Sequence, residues 1–108
     1  MNLSEIKSIL LTVIPDTFHY FAYKKPDKYI VWAEDTEASS GHADNKKTNQ
    51  VIQGTIDYFT KTEFDENVDL IQRKLNEAQI AWKLSSIQYE EETKYIHYEW
   101  VFEVINDG

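Results

Sequence analysis

The feature that most constrains this chain is a change of hydrophobic period within residues 51–75. From Val51 to Lys61, the sequence VIQGTIDYFTK places Ile52, Gly54, Ile56 and Tyr58 on one side and Gln53, Thr55 and Asp57 on the other. A period of two in β-branched and aromatic residues marks a half-buried strand. Beyond Thr62-Glu63-Phe64-Asp65 the period lengthens, and Phe64, Val68, Ile71, Leu75 and Ala78 recur at helical spacing. The short acidic stretch supplies cap-forming side chains. Glu66 and Asp69 fall in the first turn and Arg73 and Lys74 later, as the helix dipole favours. A strand therefore feeds a helix, and neither can bury its apolar face alone. The rest of the chain has to supply what they pack against.

Residues 2–14 read as a first helix. Asn2 and Glu5 match a capping box, Leu3, Ile6, Leu10, Val13 and Ile14 form the apolar stripe, and Pro15 ends it. Residues 18–23, FHYFAY, read as a strand that is aromatic on both faces. Lys24-Lys25-Pro26-Asp27 is a turn, and residues 29–34 are a second strand, so this pair is expected to form an antiparallel hairpin. After the second helix, Trp82 and Leu84 share one parity while Ile87 and Tyr89 share the other, which places a β-bulge at Ser85-Ser86. Glu90-Glu91-Glu92-Thr93 is the next turn. The last strand puts Ile96, Tyr98, Trp100, Phe102 and Val104 on one face and Tyr95, His97, Glu99, Val101 and Glu103 on the other. The order is α-β-β-β-α-β-β: one α+β domain over residues 1–108, with a mainly antiparallel sheet and both helices on one face.

Residues 35–50 differ in kind. DTEASSGHADNKKTNQ holds no large apolar side chain and cannot enter a core. A connection of that length in a small domain is expected to be a mobile or functional loop.

The search for chemistry returns little. With no cysteine, thiolate nucleophiles, disulfides and thiolate metal sites are excluded. Three glycines cannot build a phosphate-cradling loop or a dinucleotide fingerprint, and no serine lies in a nucleophile elbow. His19 and His97 could meet, with Glu99 nearby, only if the first and last strands were neighbours. Lone strand histidines are more often half-buried polar residues. His42 with Asp44 makes only a two-ligand cation site. No catalytic, cofactor or metal residue is assigned, and the chain is expected not to be an enzyme. Asp57 is either part of an exposed sheet face or one half of a salt bridge between subunits.

The net charge is −8, and the basic residues are scattered, pairing only at Lys24-Lys25, Lys46-Lys47 and Arg73-Lys74. No basic stripe exists to hold phosphates, so specific nucleic-acid binding is not expected. The acidity serves solubility or repels a polyanion. Residues 1–5 lack a basic leader region, and no apolar run approaches the ~20 residues needed to span a bilayer, so a soluble chain is expected. Three Trp and seven Tyr exceed what one modest core needs. Such residues favour protein contacts, and Tyr95, His97 and Val101 lie on the face away from the helices.

The order of elements resembles the small tail terminator and tail-completion (head–tail joining) proteins of long-tailed phages and prophages. The resemblance is carried by the helix ending at Pro15, by YIVWAE at residues 29–34 before the long polar loop, and by GTIDYFTK at residues 54–61 entering an acidic-started helix. A C-terminal hairpin completes it. Two strands rather than one follow the second helix, which departs from the simplest members. The resemblance implies a structural virion protein that forms a ring, hexameric on assembly. Its partners would be copies of itself and tail-tube or head-connector proteins, with no membrane and no cofactor. It would assemble in the host cytoplasm and end in the tail or neck, and its acidic lining would let DNA pass. A heterologous ring contact needs two different patches. The candidates are Asp35, Glu37, His42, Asp44, Lys46 and Lys47 in the loop, and Asp57, Tyr95, His97 and Val101 on the outer sheet face. The alternative is an acidic inhibitor or antitoxin-like module mimicking nucleic acid, which would cluster its acids on one face.

Overall fold

A buried carboxylate joins the strand and helix halves of the 51–75 stretch. The computed structural model describes residues 3–38 and 50–106. Its elements are α1 (Leu3–Leu11), β1 (Thr17–His19), β2 (Lys28–Glu37), β3 (Gln50–Thr60), α2 (Glu66–Glu77), β4 (Ala81–Glu90) and β5 (Tyr95–Asn106). Asp65 caps α2, its Oδ1 accepting from the Asn67 backbone N–H at 2.9 Å. The other oxygen accepts from the Tyr58 hydroxyl at 2.7 Å and the Thr60 hydroxyl at 2.6 Å, both on β3. Lys28 Nζ on β2 lies 3.4 Å from the same oxygen. Burial alone would push this carboxyl up, but the hydrogen bonds from Thr60, Asn67 and Tyr58, with the Lys28 charge, outweigh it and hold it below the usual carboxylate range. One side chain thus caps a helix and fixes it to two strands.

The far end of α2 is a Schellman motif built without glycine. Gln79 adopts φ 59°, its N–H donates to the Asn76 carbonyl at 3.0 Å, and the Ile80 N–H donates to the Leu75 carbonyl at 2.9 Å. Along the helix, two amide side chains take two of the sheet's indole N–H groups: Gln72 accepts from Trp100 at 3.0 Å and Asn76 from Trp82 at 2.8 Å. The two tryptophans therefore leave no unpaired donor beneath α2.

The sheet order is β1-β2-β3-β5-β4, antiparallel except for β1 beside β2. The order α-β-β-β-α-β-β and the α+β class are those the sequence implies. The main core lies between the helices and one sheet face, joining Ile6, Leu10, Ile71 and Leu75 to Ile30, Trp32, Ile56, Tyr58, Trp100, Phe102 and Val104. At Gly54 this face admits no side chain. An added Cβ would overlap the Ala33 carbonyl oxygen and sit 2.6 Å from Phe102 Cζ.

Several expectations are corrected. β1 and β2 are not a hairpin: β1 is three residues long and runs parallel to β2, pairing Thr17, Phe18 and His19 with Ile30, Val31 and Trp32. Tyr20, at φ 75°, turns the chain off the sheet, and residues 20–27 travel back before β2 begins. The first helix stops at Leu11, short of Ile14, and the chain winds on in turns, the Val13 and Ile14 N–H groups both donating to the Leu10 carbonyl, until Pro15. Phe64 does not belong to the α2 stripe. It precedes the cap at φ 54° and is 94% exposed. The polar connection is shorter than residues 35–50, since Asp35 and Glu37 belong to β2 and Gln50 to β3. The bulge falls where expected, as β4–β5 pairing slips between Leu84 and Ser86.

Candidate interaction surface

The outer sheet face, away from the helices, carries Asp57 on β3 and Tyr95, His97 and Val101 on β5, as the alternation implies. It is not bare. Tyr95 is only 6% exposed and lies in a second, smaller core with Phe18 and Tyr29. Its ring meets Tyr29 edge-on at 5.6 Å and Phe59 at 6.0 Å, with Lys61 Nζ 4.9 Å from its centroid. Its hydroxyl reaches the carbonyls of Lys25 at 2.9 Å and Pro26 at 2.6 Å, which straps the β1–β2 connection across the face. Burial, with Tyr95 and Glu90 beside it, pushes the Tyr29 phenol up to about 12. Tyr95 is thus a buried anchor rather than an open contact residue, and this small core accounts for several of the surplus aromatics.

Beside that core, His97 Nε2 donates to Asp57 Oδ1 at 2.7 Å, and its ring stacks on Phe59 at 4.2 Å. The hydrogen bond to Asp57, together with the charges of Glu90 and Glu99, raises the imidazole above its ordinary value against the effect of burial. Asp57 is therefore half of an ion pair within this chain. The pair lies on the floor of a shallow groove of about 310 Å³ between the outer face and the strap, whose walls include Tyr20, Phe21 and Ala22. Phe21 and Tyr23 stand largely exposed on the strap.

His19 and His97 are not together. β2 and β3 separate their strands, and His19 sits on the helix-facing side at the sheet edge. It is stacked between Tyr20 and Trp32, at 4.0 and 3.9 Å, with Nε2 2.6 Å from Glu34 Oε1. Burial pushes the Glu34 carboxyl up, yet its hydrogen bonds from His19 and its own backbone prevail and leave it lowered. Among the described residues no group of three potential metal ligands comes together. None of the helices among them is long and apolar enough to cross a membrane.

The remaining candidates lie toward the edges of the sheet. Asp35 is the extra residue at a slip in the β2–β3 ladder, and Glu37 ends β2; both are exposed. Val101 faces a hollow of about 450 Å³ formed with Lys83, Ser85 and Glu103 beside β4. His42, Asp44, Lys46 and Lys47 lie outside the described residues. Sequence reasoning missed a second hollow of about 670 Å³ on the helix-facing side, where Ile87 and Tyr89 of β4 stand 57% and 59% exposed beside Lys61, Lys94 and Ile96. The alternation of β4 gave their face, and only the position of α2 shows that no helix covers them.

No protein-family model matches this sequence, and no curated protein does. In fold, the chain is similar to a chain of a solved structure described as "Virion of native gene transfer agent (GTA) particle". The two superpose with a TM-score of 0.58 over 94% of this chain and 86% of that one, at 11% sequence identity. At that identity the likeness is one of fold.

Proposed function

We propose that this chain is a non-enzymatic structural protein of a phage-like particle, forming a closed ring as a tail terminator or head–tail completion protein. The observation that carries this reading is the fold it shares, along nearly its whole length, with a chain of a gene transfer agent virion. The order of elements that gave the resemblance in sequence is consistent with it. A ring of identical copies joined head to tail needs two unlike patches per copy. The domain offers distinct surfaces for that purpose: the groove at Asp57 and His97, the hollows beside β4 at Val101 and Ile87, and the acidic end of β2 at Asp35 and Glu37. The polar segment bearing His42, Asp44, Lys46 and Lys47 is proposed to reach a neighbour or the tail tube.

A net charge of −8 suits a wall past which DNA slides without being held. The partners are copies of this chain and tail-tube or head-connector proteins. Assembly takes place in the host cytoplasm and the product resides in the tail or neck. Native mass spectrometry across a concentration series tests the reading. A closed oligomer, six copies in the simplest case, is expected, and a chain that stays monomeric alone and on purified tail tubes would overturn it.

A further inference from the structure

The sheet ends in two unlike edges. β4 forms one of them over ten residues. At the other, β1 pairs only with Ile30, Val31 and Trp32, so the outer edge of β2 from Ala33 to Glu37 carries no strand among the described residues. A strand edge presents N–H and C=O groups to any further strand of suitable chemistry. The β4 edge leaves Ile87 and Tyr89 more than half exposed, an apolar surface that gains by being covered. Lys83 and the bulge at Ser85 limit indiscriminate pairing there, so an incoming edge has to satisfy the lysine.

Two hollows flank β4 on opposite faces. One lies by Lys83 and Val101 on the outer face, the other by Ile87, Tyr89 and Lys94 on the helix-facing side. A strand laid alongside sends successive side chains to alternate faces and so addresses both. The charges also match. Lys83 and Lys94 make no ion pair among the described residues of a chain carrying −8, while the outer part of β2 bears the exposed Asp35. We infer that β4 of one copy pairs with the Ala33–Glu37 edge of a second copy, with Lys83 against Asp35. This rests on the ring reading and specifies its contact: the sheet continues from copy to copy through two different edges, a heterologous joint that closes into a ring when the rotation allows.

The chain has no cysteine, which makes a direct test simple. A Lys83→Cys variant is mixed with an Asp35→Cys variant under mild oxidation. A disulfide-linked pair is expected in the mixture and not in either variant alone. The charge reversals Lys83→Glu and Asp35→Lys, both at exposed positions, should each weaken self-association at least tenfold, and the double variant should regain most of the loss. A closed oligomer that forms no cross-link and ignores both reversals would overturn this contact and leave the ring reading standing. A wild-type chain that remains monomeric in the same native mass spectrometry would overturn both.

Discussion

Asp65 is the residue on which most of the local order converges. Its two oxygens cap α2, take hydroxyl protons from Tyr58 and Thr60, and face Lys28, all at 5% exposure. Removing it by Asp65→Ala strands those donors as well as the helix end, and we expect a loss of about 2–4 kcal/mol in urea unfolding at neutral pH. Because its folded pKa is lowered, its contribution is present above the unfolded carboxylate value of about 3.9 and disappears as pH falls through the lower folded value. The gap between wild type and Asp65→Asn should therefore narrow in strong acid. His97 behaves with the opposite sign. Its folded pKa is raised, so its contribution is complete below about 6.5 and is lost as pH rises through the folded value. His97→Gln should be less stable than wild type at about pH 5.5 and nearly equal to it well above neutrality; equal deficits at both ends would refute the ion pair with Asp57. At this scale the sequence was half legible. The stretch from Thr62 to Asp65 announces a cap, but Phe64 matches the helical spacing by accident of position. The pairing of His97 with Asp57 depends on β3 lying beside β5, two strands with a helix and a strand between them in the chain.

Elements were more legible than their mutual orientation. The period of two along β3 and β5, the slip at Ser85 and the apolar stripe of α2 each follow from which faces are buried, and the structure keeps them. The strand at residues 18–23 was misjudged for a physical reason. Its aromatics beyond His19 serve the strap and the outer core rather than a ladder, and Tyr20 at φ 75° ends the pairing. Left-handed backbone at the end of α2 offers a test of the helix terminus. Gln79 occupies a position that glycine takes without strain, so Gln79→Gly should raise stability by about 0.5–1 kcal/mol in thermal or urea unfolding. A loss instead would mean that the glutamine side chain contributes packing worth more than its strain.

At the scale of the molecule, copies that each carry −8 repel one another over distances comparable with the domain's 25 Å thickness. Raising ionic strength from about 10 mM to about 150 mM shortens the screening length from about 30 Å to about 8 Å. Self-association should therefore strengthen with salt across that range, as measured by light scattering, because lysine–acid contacts a few ångströms long are screened far less than the long-range repulsion. Weaker association over the same range would show that local ion pairs dominate. The acidity was legible in the sequence; its arrangement was not, since which strands form the edges is a matter of topology. The strap has one more consequence. Residues 20–27 are anchored at their two ends by backbone bonds, Tyr20 N–H to the Trp32 carbonyl and Lys61 N–H to the Asp27 carbonyl, and between them only by the Tyr95 hydroxyl and rings of the smaller core. That makes the strap a separate unit of local opening, able to detach and return many times while β3 and β5 stay closed. Amide hydrogen exchange should see two lifetimes on opposite sides of one sheet, and a partner that arrives at the outer face would meet a surface already opening and closing on its own.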